Sequence, residues 1–329
     1  MRAVVLAGGG GTRLRPLTNR IPKPMVEFMG QPYAIGLLQR LAAAGVTRMD
    51  LLVGQLADQF SALVTAGHRL GVEVEILTEE RPLDTAGAAR RLLRGSGGSD
   101  VIVCNGDVLT DIDYTDLVAR HRAAGATATL ALTRVDDTSS FGVIECTPDG
   151  RIERFIEKPP PGTTTADTIN AGTYVLDATA FAPFPGDGPL SFERTVFPGL
   201  LDAGAALHGA PYDAHWQDLG TPQRFRDGHR AVLDGRCAWP VPPTIEVRDD
   251  ATAVHETATL ADGAQLTAPT IVGAGARVGR DARCDGAIVQ AGATVGVAAT
   301  VTDSILGPSA HVADHNTVGP DAVIVADDR

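Results

Sequence analysis

The amino-acid sequence predicts an α/β fold, in which a doubly wound, mostly parallel sheet is followed by a β-helix. Two patterns support this prediction. Short β-branched runs alternate with amphipathic segments from residue 2 to about residue 235, and aliphatic residues then recur at six-residue intervals. The proline-rich stretch CAWPVPPT (237–244) separates the two patterns. We therefore expect domains at 1–235 and 247–329, joined by a linker at 236–246.

Strands and helices alternate through the first part of the chain. Strand-rich pieces follow, and TPDG between two of them predicts a hairpin turn. Strands separated by helices predict parallel pairing, so functional loops are expected at the carboxyl ends of the strands. In order, the alternating segments are RAVVL, helix-like 33–44, MDLLVG, helix-like 56–66, VEVEIL, helix-like 85–94 and SDVIVCNGD.

The six-residue period of the second part predicts a β-helix. In such a fold each hexapeptide forms one flat side, and the stacked coils bury the aliphatic ladder. The pattern resembles the left-handed β-helix of hexapeptide-repeat proteins. Thirteen positions fit it with two one-residue slips: Val254, Leu260, Leu266, Val272, Val278, Cys284, Val289, Val295, Val301, Leu306, Val312, Val318 and Ile324.

Composition limits the classes of partner. The formal net charge of −12 and the aromatic content of 5% argue against nucleic acid and anionic membranes. No apolar run approaches the length of a membrane span. The four cysteines lie far apart without a CxxC spacing, which predicts reduced thiols in a cytoplasmic protein.

A glycine-rich turn follows the first strand, in LAGGGGTRLRPLTNRIPKPM (6–25). Backbone N–H groups of Gly8 to Gly11 can close around phosphate oxygens, because no Cβ blocks their approach. The run fits neither GxxxxGK[ST] nor GxGxxG, since Arg13 stands where the second pattern needs a glycine. The basic residues that follow, Arg13, Arg15 and Lys23, make the turn a cationic phosphate cradle.

Lysine usage points to the same chemistry. The chain has two lysines, Lys23 in PKPM and Lys158 in EKPP, while arginine supplies the rest of its positive charge. A compact ammonium suits sites where a wide guanidinium would not fit.

The glycine-rich stretch resembles the signature of sugar-nucleotide pyrophosphorylases, the nucleotidyltransferases that join a nucleoside triphosphate to a sugar 1-phosphate. The resemblance spans residues 1–235, and a β-helix tail is also a feature of that family. It implies a GT-A, Rossmann-like domain that catalyses in-line attack on the α-phosphorus and releases pyrophosphate. The matching motifs continue in order through EERPLDTAGAA (79–89), NGD (105–107), FGVIE (141–145), EKP (157–159), NAGTY (170–174) and WQDLGTP (216–222).

The resemblance also implies roles for individual residues. Arg13 and Lys23 are expected to stabilise the triphosphate and the charge that develops at the α-phosphorus. Asp107 and Asp218 are expected to hold Mg²⁺ as cofactor, because this ion prefers carboxylate oxygens and phosphate. Nucleotide contacts are expected from Leu6, Ala7, Gly8, Gly9, Gly10, Gly11, Thr12, Glu80, Pro82, Leu83, Asp84, Thr85 and Gly87. Sugar-phosphate contacts are expected from Gly106, Gly142, Glu157, Lys158, Asn170 and Gly172.

The segment EERPLDTAG (79–87) indicates which nucleotide base the protein is expected to bind. It most closely resembles the PLGTAG form of mannose-1-phosphate guanylyltransferases, with Asp84 in place of a glycine. Guanine offers N1–H and N2–H donors, so the carboxylate of Glu80 or Asp84 could accept from it. This favours GTP before ATP, with mannose 1-phosphate as the leading acceptor. Thymidylyl transfer, and glucose 1-phosphate, a heptose 1-phosphate or a cyclitol phosphate as acceptor, remain open.

Two readings of another class are also possible. The β-helix could carry an acyltransferase activity with His255, His311 or His315 as base, or the chain could be a non-catalytic regulatory homologue. Assembly of a homo-oligomer, dimer or tetramer, is the role expected for the β-helix.

Overall fold

In the computed structural model, the structure describes residues 1–54, 57–78, 83–93, 99–160 and 162–326. The chain divides into two compact units, one formed by Met1–Gly9 with Leu38–Trp216, the other by Gly10–Leu37 with Gln217–Arg329. In chain order the elements up to residue 233 are β1 (Arg2–Ala7), β2 (Glu27–Phe28), β3 (Gln31–Pro32), α1 (Tyr33–Ala43), β4 (Arg48–Val53), α2 (Ser61–Leu70), β5 (Glu73–Thr78), α3 (Asp84–Leu93), β6 (Val101–Asn105), β7 (Val108–Thr110), α4 (Tyr114–Ala124), β8 (Ala128–Arg134), β9 (Gly142–Cys146), β10 (Ile152–Glu157), β11 (Thr168–Leu176), α5 (Phe197–Asp202), β12 (Leu207–Pro211), β13 (Trp216–Asp218) and α6 (Pro222–Leu233).

The first unit is built on a mixed sheet in the order β10-β9-β11-β6-β1-β4-β5, with β8 beside β11 and β12 beside β8. Strands β6, β1, β4 and β5 run parallel, as the alternation of strands and helices predicts, whereas β11 is antiparallel to β6. Strands β9 and β10 form the antiparallel hairpin predicted from TPDG. The predicted α/β class is confirmed.

Helix α2 runs from Ser61 to Leu70, whereas the sequence predicted a helix over residues 56–66. Gly67 does not end it: a Cβ there would lie 2.4 Å from Val74 Cγ2, so this glycine allows close helix–sheet packing. The helix ends at Gly71, whose φ of 70° suits the left-handed position after a helix.

The second unit contains the β-helix. Its first sheet has the order β14-β15-β18-β21-β24-β27, its second β16-β19-β22-β25, and its third β17-β20-β23-β26. Successive coils pair in parallel. The strands are β14 (Ile245–Val247), β15 (Ala253–His255), β16 (Thr259–Leu260), β17 (Gln265–Thr267), β18 (Ile271–Val272), β19 (Arg277–Val278), β20 (Arg283–Asp285), β21 (Ile288–Val289), β22 (Thr294–Val295), β23 (Thr300–Thr302), β24 (Ile305–Leu306), β25 (His311–Val312), β26 (Thr317–Val318) and β27 (Val323–Ile324).

All of the predicted ladder positions lie in the interior of this β-helix or pack against it, which confirms the repeat. The two slips fall at one corner, between the third and first sheets. There, the second and third coils turn with one residue fewer than the first, and Gly286 and Asp303 adopt φ values of 62° and 41°. A tighter corner therefore shortens the period locally without moving the ladder out of the core.

The β-helix shares its unit with residues 10–37 and with α6. An aromatic cluster joins these segments: Phe28 lies 5.7 Å from Phe225 and 5.8 Å from Trp239 between ring centroids, and Tyr33 stacks on Trp239 at 5.0 Å. Trp239 comes from the proline-rich stretch and is buried. The boundaries 1–235, 236–246 and 247–329 stay a sequence prediction.

Among the described residues, no helix has the length and apolar character that crossing a membrane requires. The four cysteines are free, and burial raises the pKa of Cys104 and of Cys284 to about 12. Thiols with such pKa values stay protonated and unreactive at neutral pH.

Candidate functional site

In the first unit, the predicted phosphate-binding residues follow neighbouring parallel strands. Leu6 and Ala7 end β1, and Gly8 follows them. Directly after the adjacent strand β6, Gly106 N donates to Leu6 O at 2.8 Å, and a Cβ at Gly106 would lie 3.1 Å from that oxygen. Asp107 therefore comes directly after a close contact with the end of β1, at the carboxyl edge where sites form in such sheets.

The predicted sugar-phosphate pair lies at the end of β10. Glu157 is the last residue of that strand, opposite Gly142, and Lys158 Nζ lies 3.7 Å from Glu157 Oε1. A Cβ at Gly142 would stand 3.0 Å from Glu157 Oε2. Burial raises the pKa of Glu157, while the nearby charge of Lys158 opposes that rise. The lysine side chain is 66% exposed, so its ammonium can meet a solvent-borne phosphate.

Asn170 holds an irregularity in β11. Its Oδ1 accepts from Gly172 N at 2.9 Å, and its Nδ2 donates to Tyr174 Oη at 2.8 Å. The register with β8 shifts between Asn170 and Tyr174. Gly172 has a φ of 72°, and a Cβ there would lie 2.4 Å from Asn105 Nδ2. Only glycine fits this position, and Asn170 is engaged in shaping the turn around it.

Asp84, predicted to contact the base, has a φ of 60°. A glycine is favoured at such a φ, which explains the glycine of the PLGTAG form. The Asp84 carboxylate accepts from Thr85 N at 2.8 Å and forms an ion pair with Arg194. Leu83 O accepts from Leu190 N, at 2.9 Å. Glu80 and Pro82 lie outside the described residues.

The segment around Glu193 supports the loop that is predicted to bind the nucleotide, and this contact was not predicted from the sequence. Glu193 Oε2 accepts from Thr85 Oγ1 and from Ser191 Oγ, both at 2.8 Å. Ala86 N and Gly87 N both donate to Leu190 O. A serine followed by Phe-Glu-Arg indicates a helix start, and Ser191 does accept from Arg194 N, but that signal alone does not locate a partner for the loop.

In the second unit, the chain from Gly10 to Lys23 folds back on itself. Gly11 has a φ of 58°, and its carbonyl oxygen accepts from Thr18 Oγ1 at 2.7 Å. A Cβ at Gly11 would lie 3.3 Å from Lys23 Cβ, so the glycine lets the lysine stem approach. Thr12 and Arg13 lie on the short 3₁₀ helix Thr12–Leu14, and the Arg13 side chain is 66% exposed.

Asp218 is the centre of a charged group in the same unit. Its Oδ1 accepts from Gly220 N at 2.5 Å and lies 3.8 Å from Arg224 Nη1, while its Oδ2 lies 3.9 Å from Arg13 Nη2. A Cβ at Gly220 would meet both Asp218 Oδ1 and Arg13 Nη2, at 2.3 and 2.8 Å. The sequence predicted site roles for Arg13 and Asp218 but none for Arg224, which the structure places beside Asp218.

The carboxylates suit a metal that phosphate helps to hold. No group of three or more His, Cys, Asp or Glu side chains in the described parts of the chain could hold a metal by itself. Mg²⁺ does not require one, because it is commonly held by one or two carboxylates together with waters and substrate phosphates. Asp107, in the first unit, and Asp218, in the second, each supply a carboxylate of this kind.

A glycine-rich turn followed by cations, strand-end carboxylates and a Glu–Lys pair are the residue types that an α/β enzyme acting on phosphorylated substrates requires. A family model described as nucleotidyl transferase matches residues 2–235. The mannose-1-phosphate guanylyltransferase of Mycobacterium tuberculosis is 37% identical over 294 residues, which cover 89% of this chain and 80% of that protein. The probable mannose-1-phosphate guanylyltransferase 1 of Oryza sativa subsp. japonica is 32% identical over 327 residues, covering 97% and 88%.

Two solved structures are also similar to this chain. HddC from Yersinia pseudotuberculosis complexed with GMP-PN is 29% identical with a TM-score of 0.58, covering 69% of this chain and 97% of that one. A putative glucose-1-phosphate thymidylyltransferase from Bacillus anthracis, 22% identical with a TM-score of 0.62, covers 69% of this chain and 93% of its own and supports the fold alone. The chain belongs to the nucleotidyl transferase family, and the resemblance to sugar-nucleotide pyrophosphorylases is confirmed.

Proposed function

We propose that this enzyme transfers a guanylyl group from GTP to mannose 1-phosphate and releases pyrophosphate. The names of the relatives from Mycobacterium tuberculosis and Oryza sativa support this substrate pair, as does the GMP-PN bound to HddC. A phosphate oxygen of the sugar 1-phosphate attacks the α-phosphorus in line. The bond from the α-phosphorus to the bridging oxygen breaks, and pyrophosphate leaves with the electron pair.

One observation carries the proposal: the Arg13 guanidinium lies 3.9 Å from the Asp218 carboxylate. Nucleotidyl transfer brings two anionic substrates together, so a cation for the triphosphate and a carboxylate for a metal are needed side by side. Arg13 and Lys23 neutralise the triphosphate, and Gly8 to Gly11 direct backbone N–H groups at its oxygens.

Asp107 and Asp218 would hold Mg²⁺. When bound, this ion supplies charge neutralisation at the phosphate oxygens. The protein's own part is to keep the carboxylates oriented. Gly220 N does this for one oxygen of Asp218, and Arg13 and Arg224 balance its charge.

Lys158 would bind the phosphate of the sugar 1-phosphate, and Glu157 a sugar hydroxyl. Gly106, Gly142 and Gly172 keep the backbone open for close approach of the sugar. Since Asn170 already holds the turn at Gly172, it would act on the sugar mainly by presenting that backbone.

The base would be read by Glu80. Two carboxylates were candidates for accepting from guanine N1–H and N2–H. The Asp84 carboxylate is already satisfied by Arg194 and Thr85 N, which leaves Glu80 as the better candidate. ATP or dTTP as donor, and glucose 1-phosphate, a heptose 1-phosphate or a cyclitol phosphate as acceptor, are the alternatives that the substrate experiment separates.

A substrate panel tests the proposal. Pyrophosphate release is measured with GTP, ATP, dTTP and UTP against mannose, glucose and heptose 1-phosphates and a cyclitol phosphate, each with Mg²⁺. We expect the highest kcat/KM with GTP and mannose 1-phosphate. Absence of turnover with every pair would refute a catalytic role and favour a regulatory homologue.

The Asp107→Asn variant should lose at least about a hundredfold in kcat, because an amide oxygen carries no charge to hold Mg²⁺ against solvent. Asp202→Asn, a change at an exposed aspartate at the end of α5, is the matched control. Circular dichroism should show both variants folded. Near-normal turnover of Asp107→Asn would mean that Asp107 is not a metal ligand.

Homo-oligomerisation through the β-helix, as a dimer or tetramer, and a cytoplasmic location remain predictions. So does the absence of nucleic-acid and membrane partners. Sedimentation of the full chain tests the oligomer. For the acyltransferase alternative, His255 Nδ1 lies 2.9 Å from Thr257 Oγ1 and 3.1 Å from Thr257 N, a local turn that gives no support for a catalytic base.

A further inference from the structure

Three residues of the β-helix, one in each of three consecutive coils, directly follow strands of its first sheet and form a row. Gly273, Gln290 and Gly307 hold equivalent places in consecutive coils, because Gly273 N donates to Val289 O at 2.7 Å and Gln290 N donates to Leu306 O at 2.9 Å. We call these three residues the loop seat. All of them belong to the same compact unit as the chain from Gly10 to Leu37.

Glu27 is fastened to the middle of the loop seat. Gln290 Nε2 donates to Glu27 O at 2.9 Å, and Ala291 N donates to Glu27 Oε2 at 3.0 Å. Burial raises the pKa of Glu27, and the bond from Ala291 opposes that rise. Two hydrogen bonds thus join residues more than 260 positions apart in the sequence.

The two glycines of the loop seat make room for the same segment. A Cβ at Gly273 would lie 2.7 Å from Glu27 Oε1, and a Cβ at Gly307 would lie 3.0 Å from Leu17 Cδ2. The loop seat therefore has room for Leu17 and Glu27, which contact neighbouring coils of the β-helix.

Gln290 stands where the coils on either side have Gly273 and Gly307. It is 1% exposed, and its Oε1 has no hydrogen-bond partner among the described residues. A buried amide with an unsatisfied oxygen destabilises the fold that contains it. The Gln290 amide nitrogen donates to Glu27 O, so this side chain serves the segment that contains Glu27.

Leu17 and Glu27 bracket the part of the loop that carries Lys23. Thr18, next to Leu17, donates to Gly11 O at 2.7 Å, and Val26, next to Glu27, donates from its N to Lys23 O at 3.1 Å. Displacement of either end would therefore be passed to the backbone that presents Lys23.

We propose that Gln290 is a positioning residue for the cations that bind the nucleoside triphosphate, so that the β-helix is part of the nucleotide site. The identity of the ligand rests on the proposed function, whereas the seating of the loop does not. The β-helix thus has a second role beside assembly, because its second, third and fourth coils set the place of the loop that contains Arg13 and Lys23.

The test compares Gln290→Ala with Gln265→Ala, which removes an exposed glutamine from β17 of the same β-helix. Loss of one buried hydrogen bond predicts a rise of about threefold to tenfold in the KM for the nucleoside triphosphate in Gln290→Ala. The KM for the sugar 1-phosphate should stay within about twofold of wild type by the same scale. Glu27→Ala should raise the same KM, and Glu27→Gln should restore it, because its amide oxygen still accepts from Ala291 N.

Hydrogen exchange provides a readout that does not depend on turnover. Backbone amides of residues 10–27 should exchange faster in Gln290→Ala and at the wild-type rate in Gln265→Ala. Faster exchange in an enzyme inactive with every substrate pair would uphold this inference while refuting the proposed function. Unchanged exchange and unchanged nucleotide KM would overturn it. So would a fall in stability that raises both KM values equally, since that pattern marks a merely structural residue.

Discussion

The Asp218 carboxylate is the centre of a charged group in the second unit. It meets a backbone N–H from Gly220 and the guanidinium groups of Arg13 and Arg224. Long ion pairs of 3.8 and 3.9 Å are weaker than direct hydrogen bonds, so under the proposed function the arginines would exchange Asp218 for phosphate when a metal binds. Arg224 could not be ranked above its neighbours Arg226 and Arg230 from the sequence, because the fold alone decides which of them faces Asp218.

A pair of variants separates the two candidate carboxylates of the base-facing loop. Glu80→Gln should lower the preference for GTP over ATP by about tenfold or more, because it removes a charge-assisted hydrogen bond. Asp84→Gly should leave that preference unchanged, since Asp84 is paired with Arg194 and its φ of 60° suits glycine. The measurement is kcat/KM with each nucleotide. The opposite pattern would assign base reading to Asp84.

At the scale of elements, α6 links several features of the second unit. Thr221 caps its start, accepting from Arg224 N, just after the turn that holds Asp218. Further along, Arg226 pairs with Asp321, and Arg230 lies 4.0 Å from Asp303 on the β-helix. The helix therefore runs from the proposed metal ligand to two coils of the β-helix.

His229 in α6 makes this arrangement sensitive to acid. Its Nδ1 lies 2.9 Å from Phe225 O, and its Nε2 accepts from Met29 N at 3.3 Å, which requires the neutral ring. Burial lowers the pKa of His229 to about 4, from 6.5. The unfolded chain then binds the proton more readily than the folded chain, so stability falls as pH decreases through this window.

We expect His229 to contribute roughly 3 kcal/mol to this loss between pH 6.5 and 4. The free energy of unfolding, measured by denaturant titration across that range, should fall more steeply for wild type than for His229→Gln. The glutamine can still accept from Met29 N but does not titrate. Parallel curves for the two proteins would contradict the assignment. His315, an exposed β-helix histidine, provides the control as His315→Gln.

At the scale of the molecule, the β-helix is a stack in which each coil contacts its neighbours. Val295 is fully buried in the second sheet of that stack. Val295→Ala removes two methylene-sized groups and should destabilise the protein by roughly 2 kcal/mol. Because stability in such stacks propagates from coil to coil, the loss should also loosen the coils beyond it.

Thermal denaturation and hydrogen exchange check this expectation. Thr317→Ala, at an exposed position of β26, should change the melting temperature little. Exchange should rise in the coils after Val295 more than in the sheet of the first unit. A uniform rise through the whole chain would show instead that the molecule unfolds as one cooperative body.

The overall fold could be predicted from the periodic patterns in the sequence. The alternation of strands and helices predicted the parallel strands, and all thirteen positions of the six-residue ladder lie in the β-helix core or pack against it, although the core also contains alanines such as Ala276 and Ala293 that the ladder did not include. Element bounds were less accurate, as α2 shows, because a glycine can serve packing as well as termination. Among the site residues, those within short motifs could be proposed, because the residues of such a motif are neighbours in the sequence.

The sequence by itself determined the fold class, the family motifs and the residue types that phosphate and metal binding require, because these depend on local pattern and side-chain chemistry. The tertiary structure decided what no local pattern contains. It paired Asp84 with Arg194, set Arg224 beside Asp218 and fastened Glu27 to Gln290. Each of these contacts joins residues through space, and its partners are selected by packing, which a linear motif does not encode.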